Sequence, residues 1–300
     1  MSTPTIAPSD PAGSGNGGSD SSLEPGVAIS NPFQERLKDK QITSVIGVRF
    51  VTSNELPMMV RMTGHHGLFI DMEHSMLDMR TVGQLCIACN YAGVSPIVRS
   101  PSKSQWHISR ILDSGAAAVV IPHIVSVQEV KDIVAAGKYA PIGHRGTTNN
   151  QPILNFQTLP HATYTRVLNA GTMIIPMIET VPSLSILDEI LSIAGVDGLV
   201  VGANDLSAEL EIPGQYDHPI LVDAITKVIE AGNRANKPIG IGGFDKRKDL
   251  LEKYFVQGAT WSLAGADRAI LDAGLRRLGK EYDVMRLNVQ AMRKESATGR

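Results

Sequence analysis

The chain has 300 residues, 43% of them hydrophobic, and its charged side chains leave a formal net charge of −2. This length suits one large single-core domain, and the near-neutral balance excludes nucleic acid and anionic membrane surfaces as expected partners. No apolar run reaches the roughly 18 residues of a membrane span, and the N-terminus lacks the charged and apolar regions of a secretory signal.

The first 28 residues are mostly Ser, Gly, Pro and Ala. Such a composition buries too little apolar surface to offset the entropy of ordering, so it predicts disorder. The two cysteines, Cys86 and Cys89, lie inside a helical pattern and not before a helix. We interpret them as buried thiols of a reduced, cytoplasmic protein and not as a redox pair.

From residue 29 short apolar runs alternate with amphipathic segments. Asn31 is predicted to cap a first short helix that has Pro32 at its first position. Strands are predicted at residues 43–51, 67–71, 95–99, 117–122, 172–179, 198–205, 238–243 and 259–264. Helices are predicted at residues 55–63, 80–92, 104–114, 127–139, 183–194, 217–236, 247–257 and 266–294.

The predicted strands are apolar along their whole length, which is typical of a parallel sheet buried on both faces. Eight strand–helix units in about 250 residues favour a (β/α)₈ TIM barrel over an open doubly wound sheet. The first turn also lacks the glycine pattern of a dinucleotide-binding fold. We therefore expect a disordered segment at 1–28, a barrel at 29–275, and a C-terminal helix and tail at 276–300.

Polar side chains follow five consecutive strands at the carboxyl-terminal rim, where barrel enzymes have their active sites. These residues are Asp71, Glu73, His74, Arg99, His123, Glu179, Asn204 and Asp205. Each also has a structural interpretation. Asp205 could cap a helix that starts at Leu206, and Glu179 could be a solvated strand end. His74 could be a loop histidine, Arg99 could pair with a neighbouring acid for structure, and His123 could be purely structural.

Glu179 and Asp205 are the predicted metal ligands, because two carboxylates on neighbouring parallel strands repel and a hard divalent cation neutralises them. Mg²⁺ is the expected ion, with Mn²⁺ and Co²⁺ as alternatives. A 2-oxo acid could chelate that ion, which would then stabilise an enolate as a Lewis acid. Arg99 would add a positive donor to the enolate oxygen, and His74 would act as general base.

The substrate carboxylate is expected at the turn formed by Gly202, Ala203 and Asn204, which offers backbone N–H groups. No lysine ends an apolar strand at this rim. The sequence therefore favours a metal-dependent aldolase over one that forms a Schiff base.

The chain resembles the HpcH/HpaI aldolase family of metal-dependent pyruvate aldolases. The resemblance rests on the motifs FIDMEH (69–74), PIVR (96–99), LDSG (112–115), PIGHRG (141–146), MIET (177–180) and VGANDLS (201–207). It implies that Glu179 and Asp205 bind the metal, that His74 pairs with Asp113, and that Arg99 supports the enolate. It also implies a homo-oligomer, commonly a hexamer, in which a terminal helix is exchanged between subunits.

Two positions depart from the usual family pattern. Met177 stands where a glutamine is usual, so a polar contact near the substrate is lost. His123 stands where many bacterial members have an apolar residue, and it is similar to a histidine of the fungal macrophomate synthases, as Tyr164 is to one of their tyrosines. Arg145 and the insert at 140–170 are expected to shape substrate selectivity.

The leading functional hypothesis is a lyase that forms a pyruvate enolate by reversible aldol cleavage of a 4-hydroxy-2-oxo acid or by decarboxylation of oxaloacetate. One alternative is a macrophomate-synthase-like enzyme that adds the oxaloacetate-derived enolate to a 2-pyrone. A citryl- or malyl-thioester lyase would need a basic nucleotide-binding surface, which the rim lacks. A non-catalytic binding barrel would not need Glu179, Asp205, Arg99 and His74.

Overall fold

The computed structural model describes residues 28–297. Almost all of the segment predicted to be disordered therefore lies outside the described residues. Within 28–297, no helix combines the length and the apolarity needed to cross a membrane.

Eight parallel strands close into a barrel in chain order, which confirms the predicted (β/α)₈ fold. The strands are β1 (Thr43–Val48), β2 (Gly67–Asp71), β3 (Ser95–Arg99), β4 (Ala118–Ile121), β5 (Met173–Ile178), β6 (Leu199–Gly202), β7 (Ile239–Gly242) and β8 (Trp261–Ala266). The helices are α1 (Pro32–Lys38), α2 (Leu56–Met62), α3 (Met79–Ala92), α4 (Gln105–Asp113), α5 (Val127–Gly137), α6 (His161–Gly171), α7 (Leu187–Ser192), α8 (Ala203–Glu209), α9 (Pro219–Ala235), α10 (Lys248–Gln257) and α11 (Asp267–Ala297).

The strands are apolar on both faces because one face fills the barrel lumen and the other packs against the helices. The lumen is filled by large side chains such as Phe69, Ile97, Met177 and Trp261. A larger cluster lies between strands and helices and includes both cysteines. Burial raises the pKa of both thiols, as expected for structural cysteines.

Helix α1 closes the amino-terminal end of the barrel. Asn31 caps it by accepting a hydrogen bond from the amide of Gln34 at 3.1 Å, which confirms the predicted cap. The ring of Phe33 lies edge-on to Trp261, with a centroid separation of 5.1 Å. Helix α1 therefore packs against the amino-terminal end of the barrel lumen.

Three elements differ from the predictions. The helix predicted at 183–194 is a short 3₁₀ turn, Pro182–Ser185, followed by α7. Helix α6 lies within the insert, for which no helix was predicted. Helix α8 begins at Ala203 and not at Leu206, so Asn204 and Asp205 lie in its first turn.

Candidate active site

The ends of strands β2 and β3 are joined by a buried ion pair. Both oxygens of Asp71 accept from Arg99, with distances of 2.8 Å to Nε and 2.7 Å to Nη2. Arg49, which follows β1, donates from Nε to the same carboxylate at 2.5 Å. The two positive charges and these hydrogen bonds lower the pKa of Asp71 against the opposing effect of burial. Asp71 therefore fixes Arg99 in one orientation at the rim.

Glu73, which had no role assigned from its sequence position, links Arg99 to His123. Its Oε2 atom lies 2.9 Å from Arg99 Nη1, and its Oε1 atom lies 2.9 Å from Nε2 of His123. His74 is more distant, with its Nε2 atom 3.8 Å from Glu73. The sequence showed only that Glu73 lies two residues beyond the end of β2. Its partners lie at the end of β3 and just after β4, so they are brought together only in the closed barrel.

Glu179 is 1% exposed, so the interpretation of it as a solvated strand end is wrong. Its Oε1 atom accepts the amide N–H of His123 at 2.7 Å, while its Oε2 atom is buried and has no hydrogen-bond partner among the described residues. Burial is the main reason that the pKa of Glu179 rises to about 7, and the negative charges of Asp205 and Glu73 add to it. A buried carboxylate oxygen without a donor is suited to a cation.

Space for that carboxylate depends on Gly202. A Cβ atom added at Gly202 would lie 2.4 Å from Glu179 Oε2 and 3.3 Å from the sulfur of Met177.

Asp205 lies in the first turn of α8, whose cap is Gly202, so the capping interpretation of Asp205 is wrong. Asn204 and Asp205 are exposed and Ala203 is buried.

His123 takes a left-handed backbone conformation, with φ of 55°. This conformation is uncommon for residues with a side chain and costs about 1–2 kcal/mol. It turns the amide of His123 towards Glu179 while the ring spans Glu73 and Glu179, with Nδ1 at 3.3 Å from Glu179 Oε1. His123 is therefore part of the network at the rim, and its role in catalysis stays a prediction.

Three further residues from the sequence analysis meet in a second polar cluster, apart from this network. Nη2 of Arg145 donates to Asp113 at 2.6 Å, and Gln151 Nε2 donates to Asp113 at 2.8 Å and to the hydroxyl of Tyr164 at 2.9 Å. Asp113 ends α4, and in a barrel each helix returns to the amino ends of the strands. Within one chain, the structure does not bring Asp113, Arg145 and Tyr164 to the rim that carries His74.

Two carboxylates at the rim, Glu179 and Asp205, are the candidate ligands of a divalent cation. Among residues 28–297, no group of three or more His, Cys, Asp or Glu side chains could hold a metal ion. Mg²⁺, however, commonly binds through one or two carboxylates and keeps its remaining positions for water and substrate. Glu179, with its unpaired oxygen, and Asp205, close enough to raise the Glu179 pKa, fit that mode of binding.

Comparison with known proteins identifies the family. The family model for HpcH/HpaI aldolase/citrate lyase matches residues 48–271. A 4-hydroxy-4-methyl-2-oxoglutarate aldolase of Chaetomium globosum is 30% identical over 71% of this chain and 80% of its own length.

Two solved structures give the same result. An HpcH/HpaI aldolase from Desulfitobacterium hafniense has a TM-score of 0.76 at 27% identity, covering 83% of this chain and 96% of its own. Macrophomate synthase has a TM-score of 0.70 at 25% identity, covering 85% and 92%.

Proposed function

The chain belongs to the HpcH/HpaI aldolase/citrate lyase family, and we propose that it is a divalent-metal-dependent lyase that cleaves a 4-hydroxy-2-oxo acid to pyruvate and a carbonyl compound. The observation that carries this proposal is the buried, unpaired Oε2 atom of Glu179 beside the charge of Asp205. A cation held by these two carboxylates would supply Lewis acidity to the oxygen of the pyruvate enolate.

Arg99 is proposed as the second positive group at that oxygen. Two of its N–H groups, on Nε and Nη2, donate to Asp71, and one on Nη1 donates to the sulfur of Met177 at 3.9 Å. Two of the five N–H groups of the guanidinium therefore have no acceptor among the described residues. Because Arg99 is buried and held at fixed distances, it would need little reorganisation during the reaction.

His74 is proposed as the base that takes the proton from the 4-hydroxyl group of the substrate. The bond between C3 and C4 then breaks, the new carbonyl compound leaves, and the electron pair remains on the enolate until C3 gains a proton. His74 is half exposed at the rim, which leaves it accessible to substrate. Decarboxylation of oxaloacetate would form the same enolate with loss of CO₂. Because oxaloacetate has no 4-hydroxyl group, that reaction would need no base to remove a hydroxyl proton.

The test is the release of pyruvate from oxaloacetate with Mg²⁺ or with EDTA. We expect the chelator and the substitution Glu179→Gln each to lower the rate at least about 100-fold, since several kcal/mol of charge stabilisation are lost. Glu209→Gln, an exposed carboxylate on α8, is the matched control and should keep its rate. Equal rates with and without chelator would exclude the metal-dependent mechanism.

A second candidate is addition of the oxaloacetate-derived enolate to a 2-pyrone. The position of His123 between Glu73 and Glu179 favours it, since this side chain is half exposed at the mouth of the site. Incubation with oxaloacetate and a 2-pyrone, followed by mass spectrometry, distinguishes the two candidates. A coupled product that disappears in His123→Ala would support the second, whereas pyruvate alone would support the first.

A further inference from the structure

A cavity of about 680 Å³ lies at the amino-terminal end of the barrel, opposite the rim that carries Glu179. In its wall, Met173 begins β5, and Asp197, Pro238 and Thr260 lie just before β6, β7 and β8. Its volume lies within the roughly 300–1,000 Å³ that small-molecule sites occupy. The cavity is therefore large enough for an organic ligand and is separate from the candidate active site.

Three lysines line this cavity: Lys38 at the end of α1, Lys40 just after it, and Lys237 between α9 and β7. Within residues 28–297, the lysines that form ion pairs are Lys103 and Lys138, and none of these three does so. The three ammonium groups therefore have no carboxylate partner in the part of the chain that the structure describes.

The acidic residue among the described residues of the wall is Asp197, and its carboxylate is already engaged. It lies 2.9 Å from Nζ of the buried Lys138, and it accepts the amide N–H of Ile174 at 2.8 Å. Because Lys138 balances the charge of Asp197, the three lysines leave the cavity with an excess of positive charge.

Lys237 shows that this excess is costly to the free protein. Its side chain is half-buried, and Nζ donates to the carbonyl of Val196 at 2.7 Å. Burial lowers the pKa of Lys237, and the charge of Asp197 opposes this effect only in part. A half-buried ammonium group without an adjacent counter-ion is unfavourable, and an anion in the cavity would offset that cost.

The rest of the wall is not suited to a small inorganic ion alone. Ile42 is 59% exposed and Phe255 is half-buried, so both present apolar surface to the cavity. The side-chain amides of Gln34, Asn233 and Asn236 also line it and supply hydrogen-bond donors and acceptors. Such a wall fits an anion that carries an organic part.

We propose that this cavity binds a phosphorylated organic molecule of nucleotide size. Its phosphate groups pair with Lys38, Lys40 and Lys237, and its organic part contacts Ile42 and Phe255. Lysine binds phosphate as a compact point charge, and several lysines around one cavity suit a group with more than one negative charge. The inference does not depend on the proposed function, because these residues lie at the other end of the barrel.

The test is isothermal titration calorimetry with ADP, inorganic pyrophosphate and adenosine, all in the presence of EDTA. We expect ADP to bind, pyrophosphate to bind more weakly because it lacks the organic part, and adenosine not to bind measurably. The chelator removes cations that would hold phosphate at the rim. For the same reason, ADP should bind Glu179→Gln as it binds the wild-type protein.

Two variants assign the binding to this cavity. Lys237→Gln should weaken ADP binding at least about tenfold, because a hydrogen bond between two charged groups is lost. Lys40→Asn should weaken it several-fold, and this exposed residue has a φ of 54°, which asparagine adopts readily, so the fold is kept. Lys227→Gln is the matched control, since Lys227 is an exposed lysine of α9 outside the cavity, and it should leave the affinity unchanged.

Failure of both ADP and pyrophosphate to bind would overturn the inference, and the lysines would then only balance the negative ends of α9 and α10. Unchanged ADP affinity in both Lys237→Gln and Lys40→Asn would place the nucleotide elsewhere and would also overturn it. Equal binding of adenosine and ADP would exclude the role of the phosphate groups.

Discussion

Glu179 combines nearly complete burial with one oxygen that no described residue contacts by a hydrogen bond. Its pKa is raised to about 7, first by burial and then by Asp205 and Glu73, while the amide and ring of His123 act in the opposite direction. Without a cation, Glu179 of the folded protein therefore stays protonated at pH values between about 4.5 and 7, at which the same carboxyl group in the unfolded chain is ionised. Because the folded state binds the extra proton, the free energy of unfolding should fall as pH rises from about 4.5 to about 7.

Binding of a cation at Glu179 should depend on pH in the opposite sense. Below about pH 7 the ion must displace a proton from Glu179, so the affinity should rise about tenfold per pH unit up to about 7 and level off above it. Titration of Mn²⁺ by calorimetry between pH 5.5 and 8 measures this slope. Glu179→Gln, which has no proton to release, is the control and should show weak binding without that slope. A flat profile in the wild-type protein would contradict the assignment of Glu179 as a ligand.

At the scale of single residues, the sequence predicted which residues reach the rim, because a residue that ends an apolar strand has a fixed place in a barrel. It did not predict the partner of each residue. Arg99 was expected at the substrate, and its bidentate pair with Asp71 depends on the register between β2 and β3. Glu73 lies beyond its strand, and its contacts with Arg99 and His123 are set by backbone geometry that includes the left-handed His123.

At the scale of elements, the junction between β8 and α11 is held by one carboxylate. Asp267 is buried and accepts hydrogen bonds from the amides of Phe50 at 2.8 Å, Val51 at 2.7 Å and Arg49 at 3.2 Å. These amides belong to the segment that follows β1. Asp267 therefore fixes the start of the longest helix and the backbone of Arg49, whose side chain holds Asp71.

Asp267→Asn should destabilise the protein by about 1–3 kcal/mol, because the amide offers one acceptor oxygen and places donors against backbone N–H groups. Urea unfolding followed by circular dichroism measures the change. Asp272→Asn is the matched control on the same helix, since Asp272 is exposed and pairs with Arg276 one turn away. If both variants unfold at the same urea concentration, Asp267 is not the tie between these elements.

The strands were predicted within a few residues of their observed ends, because two-sided burial makes each one a continuous apolar run. The bounds of the helices were predicted less accurately than those of the strands. Pro182 begins a separate 3₁₀ turn, so the apolar pattern from 183 to 194 is interrupted. Helix α6 was missed although Tyr164, Val167 and Leu168 lie on one buried face, because the polar insert around it favoured a loop.

At the scale of the whole molecule, α11 is a long helix whose side chains are almost all exposed. It has 31 residues, and Asp267 is the only buried one among them. Large apolar side chains remain exposed along it: Ile270, Leu271, Leu275, Leu278, Tyr282, Val284, Met285, Leu287, Val289 and Met292. An exposed apolar surface of this length favours association with a further copy of the chain, and we propose a homo-oligomer on this ground together with the resemblance.

The location of Asp113 gives that proposal a direct test. The resemblance pairs Asp113 with His74, yet in one chain Asp113 is bonded to Arg145 and Gln151 at the amino-terminal side, and His74 lies at the opposite rim. If the two residues act together, each active site must therefore take His74 from one copy and Asp113 from another.

Co-expression of His74→Ala chains with Asp113→Ala chains should then restore aldol cleavage in about a quarter of the sites, since random mixing brings an intact His74 together with an intact Asp113 that often. Each variant alone should be inactive. The control is co-expression of His74→Ala with Glu179→Gln, whose two altered residues lie on the same rim and cannot complement each other between copies. Recovery in the first mixture only would assign the site to two chains, and recovery in neither mixture would refute the pairing of His74 with Asp113 across an interface.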